Sequence, residues 1–278
     1  MHELNIFLEH IYEAAEQRGK SPGNVLEQAR GFGYSGLECD IGRLSDRQGA
    51  KALFDGCGMR TASVYAFFDL PHDSADISRE KSLRLLETAA YFGADKVLAV
   101  PGFIRADEDR GAAVMLACER LGELCGLAAG YGMTVTVEDF DDVTSPCCDT
   151  AGLELLLGQA NGLRLTFDTG NFAYVTEDAL TAYERLKPYI SHVHLKDRSR
   201  DPARAFRCNE KADISGRLMY PCETGGGYIP AEQLVKRLIS DGYTGEFSVE
   251  HFGAADQTEY MRRSAENVQK WIKEAKTL

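Results

Sequence analysis

Four short stretches of this chain each end in a side chain that can bind a metal ion: Thr134-Val135-Thr136-Val137-Glu138, Arg164-Leu165-Thr166-Phe167-Asp168, Ile190-Ser191-His192-Val193-His194 and Glu246-Phe247-Ser248-Val249-Glu250. All four alternate apolar and polar residues. A strand turns successive side chains to opposite faces, so Glu138, Asp168, His194 and Glu250 each fall on the polar row, toward the carboxyl end. Any one of them can be an ordinary hydrogen-bonded polar residue. As a set they ask for a common cause. Three carboxylates brought together repel one another and raise each other's pKa; around a divalent cation the same groups become favourable. One imidazole with three carboxylates is an oxygen-rich donor set. It suits Mn²⁺, the ion expected foremost, or Mg²⁺, and also accommodates Co²⁺ or Zn²⁺.

Positioning four such groups requires parallel strands whose carboxyl ends meet. The chain reads as strands alternating with helices along its whole length. Strands are expected at 4–8, 37–40, 61–67, 96–100, 134–138, 164–168, 190–197 and 246–250. Helices are expected near 11–17, 25–32, 46–54, after an N-cap at Ser78, over 109–129, 153–159, 179–186, 231–240 and 260–275. This alternation implies a parallel sheet. Central strands of an open sheet bury both faces and read as continuous apolar runs, whereas a closed barrel can line its upper interior with polar groups. The expected fold is therefore α/β, a (β/α)₈ TIM barrel spanning 1–278 as one domain, with Val135, Val137, Leu165, Phe167, Val193, Leu195, Phe247 and Val249 facing the helices. The active site of such a barrel lies at the carboxyl ends of its strands. Residues 198–230 break the rhythm. They are polar, contain Gly225-Gly226-Gly227, and read as a rim loop or lid that orders over substrate.

Composition narrows the function. With 43 acidic against 31 basic residues the formal charge is −12, which disfavours nucleic acid and anionic membranes as partners. No apolar run is long enough for a membrane span, and Met1-His2-Glu3-Leu4-Asn5 does not open a secretory signal, so a cytoplasmic location is expected. The eight cysteines are scattered and read as reduced, mostly buried residues with no zinc pattern. A homo-oligomer is compatible with the sequence.

The runs GMTVTVEDF (132–140), FDTGN (167–171), HVHLKD (192–197) and VEHF (249–252), with GYSGLE (33–38) and IPAEQLVKRLISDGYTGEFSVE (229–250), resemble the xylose isomerase-like barrel superfamily. This group contains sugar isomerases, ketose 3-epimerases, inosose dehydratases and endonuclease IV. The resemblance implies that Glu138, Asp168, His194 and Glu250 ligate one divalent metal. It also implies that Glu138 and Glu250 exchange the substrate proton as acid and base, in a sugar or sugar-phosphate isomerase or epimerase working through an enediolate. An inosose-type dehydratase on the same scaffold is the nearest alternative; a phosphodiester hydrolase and a non-catalytic sugar-binding protein are further ones. Two departures stand out. Asn171, carried as a substrate contact, occupies the place of a histidine in the ketose 3-epimerases, and Gly226 that of an acidic residue. The endonuclease branch needs more histidines than the six present here.

Around the four groups stand secondary candidates for contact with a sugar or polyol. Glu38 ends its strand at the rim and can bind a hydroxyl or cap a loop. His192 lies one inward step below His194 and reads either as substrate-facing or as a hydrogen-bonded residue beneath the site. Lys196, one step above His194, can reach a substrate oxygen or pair with a site carboxylate. Arg198 and Arg200 can hold a phosphate or stand as solvated loop charges, with Arg200 carried as a substrate contact. Tyr65, with Phe67 and Phe103, can form an apolar wall. His251 should face outward as a structural residue.

Overall fold

The alternating stretches become parallel strands that close on themselves in the computed structural model, which describes residues 2–277. The strands are β1 (Leu4–Phe7), β2 (Tyr34–Asp40), β3 (Arg60–Phe67), β4 (Lys96–Val100), β5 (Thr134–Glu138), β6 (Arg164–Asp168), β7 (Ile190–Ser199), β8 (Lys211–Ala212), β9 (Leu218–Cys222) and β10 (Phe247–Glu250). β1 to β7 follow one another around the barrel, and β10 pairs in parallel with both β7 and β1. This is a closed (β/α)₈ barrel. Outside it run α1 (Leu8–Arg18), α2 (Pro22–Phe32), α3 (Arg47–Cys57), α4 (Ala75–Phe92), α5 (Arg110–Ala129), α6 (Thr150–Gln159), α7 (Ala179–Leu186), α8 (Ala231–Ser240) and α9 (Gln257–Ala275).

Local chemistry explains where the helices start. The side chains of Ser21, Asp46, Ser74, Asp109, Asp149, Asp178 and Asp256 each accept a main-chain N–H from the first turn of the helix that follows. For α4 this corrects the expected cap. Ser74 is the cap, and Ser78 is buried in the helix one turn later, beneath Ser82, which donates to its carbonyl at 2.8 Å. Both serines satisfy the same local signal, and only packing of the extra turn distinguishes them.

The two faces of each strand diverge as expected. Val135, Val137, Leu165, Phe167, Val193, Leu195, Phe247 and Val249 are buried in the main core between barrel and helices. A second, smaller apolar cluster lies apart from it: Phe7, Tyr65 and Leu98, with Phe252 packed against them.

Residues 198–230 are not the loop that their polarity suggests. β7 continues past the barrel to Ser199 and pairs antiparallel with β9, Arg198 opposite Pro221, and β9 pairs with β8. Pro221 interrupts the run Leu218–Cys222 and hides it as a strand. A proline without an N–H is tolerated where its strand lacks a second neighbour; β8 pairs with β9 at Leu218 and Met219, so Pro221 has β7 on one side alone. Asp197 pins the root of this flap. Its carboxylate, 1% exposed, accepts N–H groups from Gly225 (2.9 Å), Gly227 (3.0 Å) and Ile229 (3.1 Å). A Cβ at Gly227 would lie 2.2 Å from the Arg198 carbonyl oxygen, so close backbone approach requires glycine there. Among the described residues no helix is long and apolar enough to cross a membrane.

Candidate active site

The four strand-end groups converge. Glu138, Asp168, His194 and Glu250 come from β5, β6, β7 and β10, which are neighbours around the barrel. Each offers a ligand atom lying within 4.8 Å of the others, and all four residues are buried. His194 Nδ1 is 2.8 Å from Glu138 Oε2 and 3.6 Å from Glu250 Oε2. Glu138 and Glu250 sit on the outer strands of this quartet, with two strands between them.

The donor set fits a cation. Asp168 Oδ1 accepts the N–H groups of Gly170 (2.7 Å) and Asn171 (2.8 Å), while the buried Oδ2 has no partner. Buried carboxylate oxygens are ordinarily satisfied, and an oxygen of this carboxylate lies within 4.8 Å of ligand atoms of the other three groups. Burial, with Glu250 and Glu138 adding to it against the pull of Lys196, pushes Asp168 up to about 7. Burial also raises Glu138. A divalent ion would relieve both effects.

Glu38 lies below this layer and not at the rim. β2 runs on to Asp40, so Glu38 is an interior residue of its strand, fully buried. Its Oε2 is 3.1 Å from His194 Nε2, and its Oε1 is 2.5 Å from His192 Nε2, which also lies 2.9 Å from Ser248 Oγ. Glu38 and His192 therefore support the site from beneath and do not line the cavity: this corrects the rim reading of Glu38, and of the two readings of His192 it leaves the hydrogen-bonded residue beneath the site. By accepting from Nε2, Glu38 leaves Nδ1 of His194 aimed at the three carboxylates, the arrangement by which an outer carboxylate orients a metal-ligating histidine. Burial alone would lower the His194 imidazole, but Glu38 and Glu138 hold it well above its ordinary value. The two histidines hold Glu38 well below the usual carboxylate range despite its burial.

Above the ligand layer opens a cavity of about 280 Å³, a size suited to one small molecule. Its two sides differ. Phe7, Tyr65, Phe67, Leu98 and Val100, from β1, β3 and β4, form an apolar wall with Phe140 and Phe252. Glu138, Glu250, Asn171, Lys196 and Arg198 form the polar side, and the flap adds Asn209 and Lys211. Tyr65 thus takes the place expected of it. Asn171 also lines the cavity: its amide donates to the Asp139 carbonyl at 2.7 Å, and among the described residues its buried Oδ1 has no partner. Lys196 Nζ lies 2.6 Å from Glu250 Oε1. Burial works against its charge, but Glu250, Asp141 and Asp168 raise its pKa well above the ordinary lysine value.

Arg200 is not brought to the cavity. It bonds Asp213 at 3.2 Å and the carbonyls of Arg217 and Leu218, and lies over the Tyr228 ring. β7 stays extended to Ser199, and Arg200 follows the turn onto the flap. Arg198, for which the sequence leaves open both a phosphate contact and a solvated loop charge, is buried and lines the cavity. Phe103 packs 5.7 Å from Phe140 at the outer edge. His251 is buried against His10, ring centroids 4.6 Å apart. Sequence reading did not single out Asp139, whose Oδ1 accepts the Asp168 N–H at 3.0 Å, nor Asp197, Asp141 or Lys211. The EDF and HLKD runs contain the first two, but nothing in alternation marks an outward acid as an anchor.

Comparison with known proteins places this geometry. Residues 26–275 match the family described as xylose isomerase-like TIM barrel. Inosose dehydratase 1 of Bacillus cereus is 32% identical over 107 residues, 36% of this chain and 35% of that protein. The chain spans little more than a third of the length of the curated relatives it matches. Among solved structures, a xylose isomerase-like TIM barrel protein from Mycobacterium smegmatis in complex with magnesium superposes with a TM-score of 0.71 at 19% identity, covering 91% of this chain and 88% of that one. An L-ribulose 3-epimerase superposes with a TM-score of 0.73 at 14% identity, covering 100% and 96%; both likenesses concern the fold. With most of its length matched, the chain belongs to the xylose isomerase-like TIM barrel family.

Proposed function

We propose that the protein is a divalent-metal-dependent isomerase or epimerase acting on a small sugar or polyol through an enediolate. The observation that carries this reading is the buried quartet of Glu138, Asp168, His194 and Glu250, with Asp168 Oδ2 left without a partner. These four residues would hold the ion, Mn²⁺ foremost, and the magnesium complex of a family member with the same fold supports a metal at such a site. A bound divalent ion would supply Lewis-acid polarisation of a substrate carbonyl, acidifying the adjacent C–H. Glu138 and Glu250, on the outer strands of the quartet, are the two carboxylates placed to remove that proton and return it. Lys196 steadies the charge on Glu250 at 2.6 Å. The aromatic side of the cavity excludes water from the exchanging proton.

A second reading, dehydration of an inosose-type polyol ketone, has its own support. Lys196 is an ammonium beside Glu250, so one group can take the proton next to the carbonyl while the other protonates a departing hydroxyl. Similarity to inosose dehydratase 1 points the same way. Incubation of the Mn²⁺-loaded protein with a panel of ketoses and inososes in D₂O separates the readings. Isomerisation or epimerisation should yield a product of unchanged formula carrying deuterium beside the carbonyl. Dehydration should yield an unsaturated or deoxy product and water. Inertness of the metal-loaded protein toward every member, with no solvent exchange, would sink both.

A further inference from the structure

Every other cation lining the cavity is matched by a carboxylate, and Arg198 is not. Lys196 pairs with Glu250 at 2.6 Å and lies 3.7 Å from Asp141, which Lys211 also meets at 2.7 Å. Arg198 is 5% exposed and lines the cavity, yet among the described residues no carboxylate oxygen comes within ion-pair distance of its guanidinium. Its Nε has no hydrogen-bond partner. The guanidinium stands over the Tyr174 ring at 5.4 Å, and the buried Tyr174 hydroxyl is likewise unpartnered. A largely buried charge without a counter-ion is costly. The fold nonetheless fixes it: Arg198 occupies the inward rung of β7 beyond Lys196, opposite Pro221 of β9, and its carbonyl accepts the Tyr228 N–H at 2.9 Å.

We infer that Arg198, with Lys211 beside it over the same ring at 5.5 Å, receives an anionic group of the substrate, a carboxylate or a phosphate. The substrate class is then an anionic polyol, not a neutral sugar. This rests on the metal-site reading above. Arg198 lies four residues, about 13 Å of strand, beyond His194. The substrate would therefore present oxygens to the metal at one end and its anion to the cavity mouth at the other. Arg200 is excluded from this role because Asp213 already occupies it.

Calorimetric titration of the Mn²⁺-loaded protein with two matched pairs tests the inference: shikimate against methyl shikimate, and D-fructose 6-phosphate against D-fructose. Wild type should bind at least one anionic member about tenfold or more tightly than its neutral counterpart, as charge-assisted hydrogen bonds allow. Which pair shows the preference identifies carboxylate or phosphate. R198Q should lose most of the preference, and R198K should keep part of it. Thermal unfolding and Mn²⁺ uptake are measured on each variant, so that a folded, metal-loaded R198K still decides the matter if R198Q does not fold. No preference in wild type for either anion overturns the inference. So does a preference that survives in R198Q, or one lost in R200Q and kept in R198Q. If wild type takes up no Mn²⁺, the metal reading fails; titration of the metal-free protein with inorganic phosphate, compared in wild type and R198K, then decides Arg198 separately.

Discussion

Replacing Glu38 isolates the contribution of a residue that touches neither substrate nor ion. Glu38 is fully buried, 3.1 Å from His194 Nε2 and 2.5 Å from His192 Nε2. Two effects oppose each other when its charge is removed. The carboxylate helps to hold the His194 imidazole protonated, and that proton must leave Nδ1 before a metal can bind, so losing Glu38 eases deprotonation. The same field also attracts the cation. A divalent ion feels it about twice as strongly as a proton does, so the net result is weaker metal binding. Glu38→Gln keeps one acceptor, enough for the His194 Nε2–H, and loses the charge and the oxygen that faces His192. Glu38→Leu loses the charge and both acceptors and frees the imidazole to turn. Outer-carboxylate substitutions typically cost about 10–100-fold in metal affinity; Glu38→Gln should fall near the lower figure and Glu38→Leu near the upper, about 1.4 and 2.7 kcal/mol. Mn²⁺ titration followed by electron paramagnetic resonance, with circular dichroism to verify folding, measures this. Wild-type Mn²⁺ affinity in a folded Glu38→Leu variant would refute the argument that Glu38 orients His194.

Glu138→Gln and Glu250→Gln, checked for retained Mn²⁺, should each lower turnover by about 10²–10⁴-fold, the usual worth of a positioned acid or base; full turnover in both would remove them from that role. Chelation of the metal should lower the melting temperature, because an ion at 100 times its Kd contributes about 2.7 kcal/mol, or roughly 5 °C for a chain of this size; an unchanged midpoint in scanning calorimetry with and without EDTA would count against a bound ion. Asp197→Ala leaves the N–H groups of Gly225, Gly227 and Ile229 without their acceptor and should cost about 3 kcal/mol or more, read by urea unfolding, where a loss below about 1 kcal/mol would deny it a pinning role. In the flap, trypsin should cut after the exposed Arg207, and a ligand filling the cavity against Asn209 and Lys211 should slow that cut; equal rates in both states would show that the flap does not respond to the site.

Much of the barrel was legible in the chain because its signals are local. Period-two alternation places Val135, Val137, Val193 and Leu195 on one face of a strand and Glu138 and His194 on the other, and a parallel barrel then has only one rim on which strand ends can meet. Tertiary structure decided what depends on how far each strand extends and on what stands opposite it. Glu38 moved from rim to floor because it lies inside β2, two residues short of its end at Asp40, where it meets His192 and His194 of β7. Arg198 lines the cavity and Arg200 does not, because β7 runs out to Ser199 against β9, a strand disguised by Pro221. Asp197 and Asp139 became anchors only through main-chain N–H groups that reach them from distant segments. Alternation fixes the side of a strand on which a residue lies, because that follows from bonded geometry. It carries no information about depth or partners, which are set by register between strands far apart in sequence, and the depth of Glu38 and the unpaired charge of Arg198 arise at that level.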